Sequence, residues 1–181
     1  MTAEQIRERL QRVEAELNGG PLLIRAGLEA GQAIVAQIAS RIRQKGEDEQ
    51  GAPFTPYSTN QIPAWFYIGK SRNSGADSAV KQKAKRRETI SYKEFRQLNG
   101  LKTERKNYEF TGELFRDFKV LNVTSSGTVL TIEYGGATKQ AADKLEWAKD
   151  DEGKSIILAS KQEIEIAKTI IQNRINTIIN G

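Results

Sequence analysis

The chain has 181 residues and 38% hydrophobic content, enough for one ordinary domain that buries a core without disulfide or metal staples. It contains neither Cys nor His, which excludes thiolate and imidazole zinc sites, cysteine nucleophiles and every Ser-His-Asp arrangement. The net charge of +5 is uneven: Lys70 to Lys106 carries twelve Lys and Arg against four acids, a surplus of +8 that leaves −3 for the remainder.

Thr2 with Gln5 three residues on has the spacing of a capping box, and Ile6, Leu10, Val13 and Leu17 follow as one apolar stripe. A leading helix over 2–17 is expected, stopped by Asn18-Gly19-Gly20-Pro21. This start lacks the basic and apolar regions of a secretory signal, and the apolar runs are short, so no membrane partner is expected. A broader apolar face with small residues (Gly27, Gly31, Ala33, Ala36) predicts a core helix over 22–45.

From Gly46 the texture changes, with Pro53, Pro56 and Pro63 between Phe54, Tyr57, Trp65, Phe66 and Tyr67. These five aromatics predict an extended arm, with burial in the chain's own core and an inter-subunit strap as equal alternatives. The arm and the basic segment behind it occupy 46–106, with Ser71–Gly75 as a mobile tip and Ser155–Leu158 further on as a third strand. Lys81, Lys83, Lys85, Arg86 and Arg87 form the densest basic patch. Such a run is more often a solvated or inter-subunit segment; tracking nucleic-acid phosphates, with Trp65, Phe66, Tyr67 or Tyr92 stacking on bases, is the alternative.

The last stretch, 107–181, contains two alternating runs, Phe118 to Val123 and Val129 to Tyr134, around Ser125-Ser126-Gly127, which predicts an antiparallel hairpin. Phe118, Val120, Leu130 and Ile132 are expected to face a core closed by Ile34, Ile38, Ile171 and Ile175. A short helix over 137–148 and a long amphipathic C-terminal helix follow, the latter opened by the Ser160–Glu163 capping box. With few, contiguous strands the expected class is α+β, one domain over 1–181 built on the hairpin and packed by long N- and C-terminal helices. Asp150-Asp151-Glu152 reads as an exposed acidic turn matching no calcium-loop spacing. No cofactor or metal is expected, and an enzyme using the 143–152 carboxylates is the least favoured reading.

The segment Tyr108-Glu109-Phe110-Thr111-Gly112-Glu113-Leu114-Phe115-Arg116-Asp117-Phe118 resembles the virion-morphogenesis, or tail-completion and head–tail joining, proteins of tailed bacteriophages. Phe110, Thr111, Gly112, Leu114 and Asp117 occupy the places of that family's apolar–Thr-Gly-x-(Leu/Met) signature before a hairpin. Gly51-Ala52-Pro53-Phe54-Thr55-Pro56-Tyr57 and Ala142 to Trp147 resemble two further segments in the same order, and the likeness spans about 22–180. A His-Gln near Trp147 is missing, and Ser155-Ile156 replaces a Pro-Phe pair. The resemblance implies a non-enzymatic virion protein at the head–tail junction, assembled in the host cytoplasm. Its implied partners are copies of itself in a hexameric or dodecameric ring, and connector, tail-terminator or tail-tube proteins. DNA contact is the less favoured possibility. Phe110, Thr111, Gly112, Leu114 and Phe115 are then structural: Thr111 caps the turn, Gly112 allows close backbone packing, and Leu114 and Phe115 anchor it.

Overall fold

Ala30, Ile34, Ile38 and Ile42 recur every fourth residue, so their side chains share one helical face, and that face becomes the centre of the molecule. The computed structural model describes residues 2–109, 112–127 and 129–180. In chain order, α1 (Ala3–Leu17) and α2 (Pro21–Ser40) come first, and α2 continues as a π turn, Arg41–Lys45. Next come β1 (Gln61–Pro63), a 3-10 turn (Ala64–Tyr67), α3 (Ser74–Lys85), β2 (Thr89–Ser91) and α4 (Tyr92–Leu98). The chain ends with α5 (Glu113–Arg116), β3 (Phe118–Ser126), β4 (Val129–Gly136), α6 (Lys139–Glu152) and α7 (Lys161–Asn180). Among the described residues helices mix with two separate antiparallel strand pairs, β1–β2 and β3–β4, in keeping with the α+β expectation.

In the main body α2 lies between the β3–β4 hairpin and α7. Pro21 opens it at the position where a missing N–H costs nothing. An added Cβ at Gly27 would stand 2.7 Å from a Val123 methyl, and one at Gly31 would stand 2.8 Å from methyls of Ile132 and Val120. Both glycines therefore exist to let the helix backbone reach the sheet. Arg174 grips Glu29 with two bonds of 2.8 and 3.0 Å, tying α7 to α2. By length and composition Pro21–Lys45 would also suffice to cross a membrane, with mean hydropathy 1.2 in its most apolar window. Here Ile34, Ile38 and Ile42 are spent on the core.

The hairpin has the expected faces, with Phe118, Val120, Leu130 and Ile132 inward and Lys119, Asn122, Thr131 and Glu133 exposed. A register shift between Val120 and Asn122 leaves Leu121 outside, 52% exposed, and returns Val123 to the inner face. Ile171 packs on the core and Ile175 is half-buried at its margin. The Thr2–Gln5 and Ser91–Glu94 capping boxes are both closed. At α7, Ser160 Oγ accepts from Glu163 N at 3.2 Å and Glu163 Oε2 accepts from Ser160 N at 2.7 Å.

Residues 46–106 are not an extended arm. They fold into a small lobe around Ala64, Tyr67, Val80, Ile90 and Phe95, a second core separate from the first. Three-residue 3-10 periodicity turns Ala64 and Tyr67 inward together, and β1 pairs with β2 across an intervening helix. The supposed mobile tip is the cap of α3: Asn73 Oδ1 accepts from Ala76 N at 2.8 Å, and Arg72 N donates to Asn99 Oδ1 at 2.7 Å. Ser155–Leu158 is a turn rather than a third strand, fixed by Ile156, whose side chain is fully buried.

Candidate functional site

The five arm aromatics divide. Phe54 enters the main core, meeting the Tyr108 ring edge-on at 5.5 Å. Tyr67 stacks on Phe95 at 4.3 Å in the lobe. Tyr57 sits where the two units meet, its hydroxyl donating to Asn107 Oδ1 at 2.8 Å and accepting from Asn107 N at 3.0 Å. These three are buried within the chain and, as folded here, present almost no surface to another copy. Trp65 and Phe66 point outward instead, 65% and 47% exposed, and Ile68 beside them is 43% exposed. Lys70 Nζ lies 3.5 Å from the centre of the Phe66 ring. The outcome is an apolar surface patch fringed by a cation.

The basic stretch is more neutralised than its formal charge suggests. Lys81 pairs with Asp77 at 2.6 Å, Lys83 and Arg86 share Glu88, and Arg105 pairs with Glu47 at 3.1 Å. The face α3 presents to the lobe core carries Ala76, Val80 and Ala84, so its lysines flank that face. Lys85 and Arg87 are exposed and carry no ion pair among the described residues. Arg96 and Lys106, counted with them in sequence, are buried.

Of the signature residues, Phe110 and Thr111 lie outside the described residues. Leu114 is buried as expected, and Phe115 packs on the main core with the Arg43 guanidinium 5.9 Å from its ring centre. Gly112 has a different reason from close packing. Its φ is +78°, and an added Cβ would meet nothing within 4 Å. Glycine is needed there for the left-handed turn into α5.

The acidic segment is the largest departure. Asp150 to Glu152 form the last turn of α6, and the Glu152 side chain is only 4% exposed. Lys106 Nζ donates to Asp151 at 2.6 Å and to Glu152 at 3.1 Å, and Thr55 donates to Glu152 through both N and Oγ1. Tyr108 donates its hydroxyl to Glu152 at 2.6 Å. Burial alone would raise the Glu152 carboxyl, but the donors Tyr108, Thr55 and Lys106 outweigh it and hold the group below its usual range. Burial, then the bond to Glu152 and the neighbouring negative charges, pushes the Tyr108 phenol far up. This cluster clamps both ends of the lobe onto α6, with Asp48–Lys154 beside it. Among the described residues no group of three or more carboxylates is placed to hold a metal ion. A charge count could not find the clamp, because its partners lie more than forty residues apart.

No protein-family model, curated protein or solved structure matches the chain.

Proposed function

We propose that the chain is a structural component of the head–tail junction of a tailed bacteriophage, a tail-completion or neck protein that acts by stoichiometric assembly into a ring between connector and tail. The observation that carries this reading is the ordered likeness of 22–180 to that family, centred on the Gly112–Leu114 turn directly before the β3–β4 hairpin. The outward Trp65–Phe66 patch supports it as an inter-subunit contact, since aromatic side chains beside cations are common anchors at interfaces. Its localisation is then the virion, and the protein is no enzyme.

A lysate of the encoding phage carrying a nonsense mutation in this gene tests the reading. Heads and tails should be found separate by electron microscopy, and added wild-type protein should restore infectivity. Trp65→Ala and Phe66→Ala protein should restore it at least about tenfold less well while melting within a few degrees of wild type, because exposed positions rarely shift stability by more than about 0.5 kcal/mol. Joined, infectious particles without the protein would overturn the assignment.

Trp65 and Phe66 standing beside Lys70, with Lys85 and Arg87 unpaired, favour nucleic-acid contact as a second reading. The expected result is weak, sequence-blind DNA binding at low salt that vanishes near physiological ionic strength, followed by fluorescence anisotropy across a salt series. Micromolar or tighter binding at physiological salt would put this reading first.

A further inference from the structure

Where the lobe meets the main body a cleft of about 500 Å³ opens, floored and walled by Tyr57, Tyr92, Arg96, Tyr108, Leu114 and Trp147. The lobe supplies one wall and α5–α6 the other. The cavity is of the size and apolar character that holds a small organic group. Two of the cations at its edge are already spent: Lys106 on Asp151 and Glu152, and Lys144 on Glu113.

Arg96 is different. It is 1% exposed, and its guanidinium carbon lies 4.1 Å from the centre of the Tyr57 ring. Nε and Nη2 donate to the Lys102 carbonyl at 3.3 Å each, and Nη2 donates to Asn107 Oδ1 at 3.0 Å. Among the described residues no carboxylate lies within ion-pair distance of it, and Nη1 has no acceptor. A buried guanidinium facing only neutral acceptors and ring faces is costly, and a planar carboxylate is the group that best compensates it. Lys106 and Asp151 neutralise each other on the cleft wall, which leaves the single charge of Arg96 for a ligand and suits one carboxylate better than a doubly charged phosphate.

We propose that this cleft binds a carboxylate carried on an aromatic or apolar stem. Arg96 takes the carboxylate, and the rings of Tyr57, Tyr92 and Trp147 enclose the stem. The site stands on its own geometry, independently of the neck assignment. The carboxylate could come from a free organic acid or from an acidic side chain flanked by apolar residues in a partner's segment, and both are probed.

Calorimetric titration of the full chain compares 1-naphthoate, its neutral isostere 1-naphthamide and the blocked peptide acetyl-Leu-Glu-Phe-amide. Naphthoate or the peptide should bind one to one, and naphthoate at least tenfold more tightly than naphthamide; the tighter of the two acids identifies the source. Arg96→Met should erase the preference for the charged probe. Because that variant removes a buried side chain, Trp147→Ala serves as a second one: Trp147 is 59% exposed and belongs to neither core. It should weaken both naphthyl probes at least fivefold with the melting temperature unchanged. Equal affinity for naphthoate and naphthamide, no binding of either acid at millimolar concentration, or undiminished binding to Trp147→Ala would overturn the proposal.

Discussion

Gly31→Val should destabilise the chain by about 2–3 kcal/mol in urea denaturation, at the upper end of what overpacking a core costs. The first added carbon would already stand 2.8 Å from Ile132 Cγ2 and 2.8 Å from Val120 Cγ2, and valine carries two further methyls on that carbon. Those neighbours are branched side chains on paired strands, so relief means lifting the hairpin from α2 rather than swinging a flexible tip. Gly31→Ala sets the sign more finely. Helix propensity gives alanine about 1 kcal/mol over glycine inside a helix, yet the close contact remains, so a net loss is expected. Gly75→Ala in α3 is the control: its added Cβ would meet only Asn73 Oδ1 at 3.4 Å, and its φ is not positive. It should stabilise by about 0.5–1 kcal/mol. Stabilisation by Gly31→Ala as well as by the control would mean that α2 does not pack on the hairpin through Gly31.

What could be read in the sequence follows the range of the forces involved. Capping boxes, the four-residue isoleucine repeat of α2 and the alternation in β3 and β4 are local, set within a few residues, and each appears in the structure where its pattern stands. The lobe was hidden because its elements are short and its closure is not local: Gln61–Pro63 pairs with Thr89–Ser91 only after α3 has turned the chain back. Prolines at 53, 56 and 63 break any helical run and so read as an extended arm, although Phe54 and Tyr67 sit in two different cores. Composition could not separate buried from solvated charge either. Arg96 and Lys106 add to the basic count just as Lys85 does, yet one lines a cleft and the other holds a clamp.

That clamp carries the second large effect. Glu152→Gln keeps the shape of the side chain but removes the charge that Lys106, Tyr108 and Thr55 surround. Breaking a buried ion pair costs about 3–5 kcal/mol, and since Asp151 still faces Lys106 a loss of about 3 kcal/mol at pH 7 is expected. The pH profile separates this from a packing defect. The Glu152 carboxyl is held below its ordinary value of 4.5, so its contribution is complete above that pH and is lost as pH falls through the lowered folded value. Tyr108 is raised above its ordinary value of 10.0, so the neutral phenol stabilises the fold below pH 10 and stability drops as pH rises beyond it. Wild type should therefore lose stability on both limbs, with the alkaline slope approaching about 1.4 kcal/mol per pH unit from Tyr108 alone. Tyr57, Tyr67 and Tyr134 are also raised by burial, and burial is the larger cause for Tyr108 itself, so the alkaline limb should persist in the variant. Glu152→Gln should be less stable in the plateau and flatter on the acid side, as urea titrations from pH 3 to 11 would measure. A parallel offset at every pH, with the acid slope kept, would mean that Glu152 supports the junction only by its bulk.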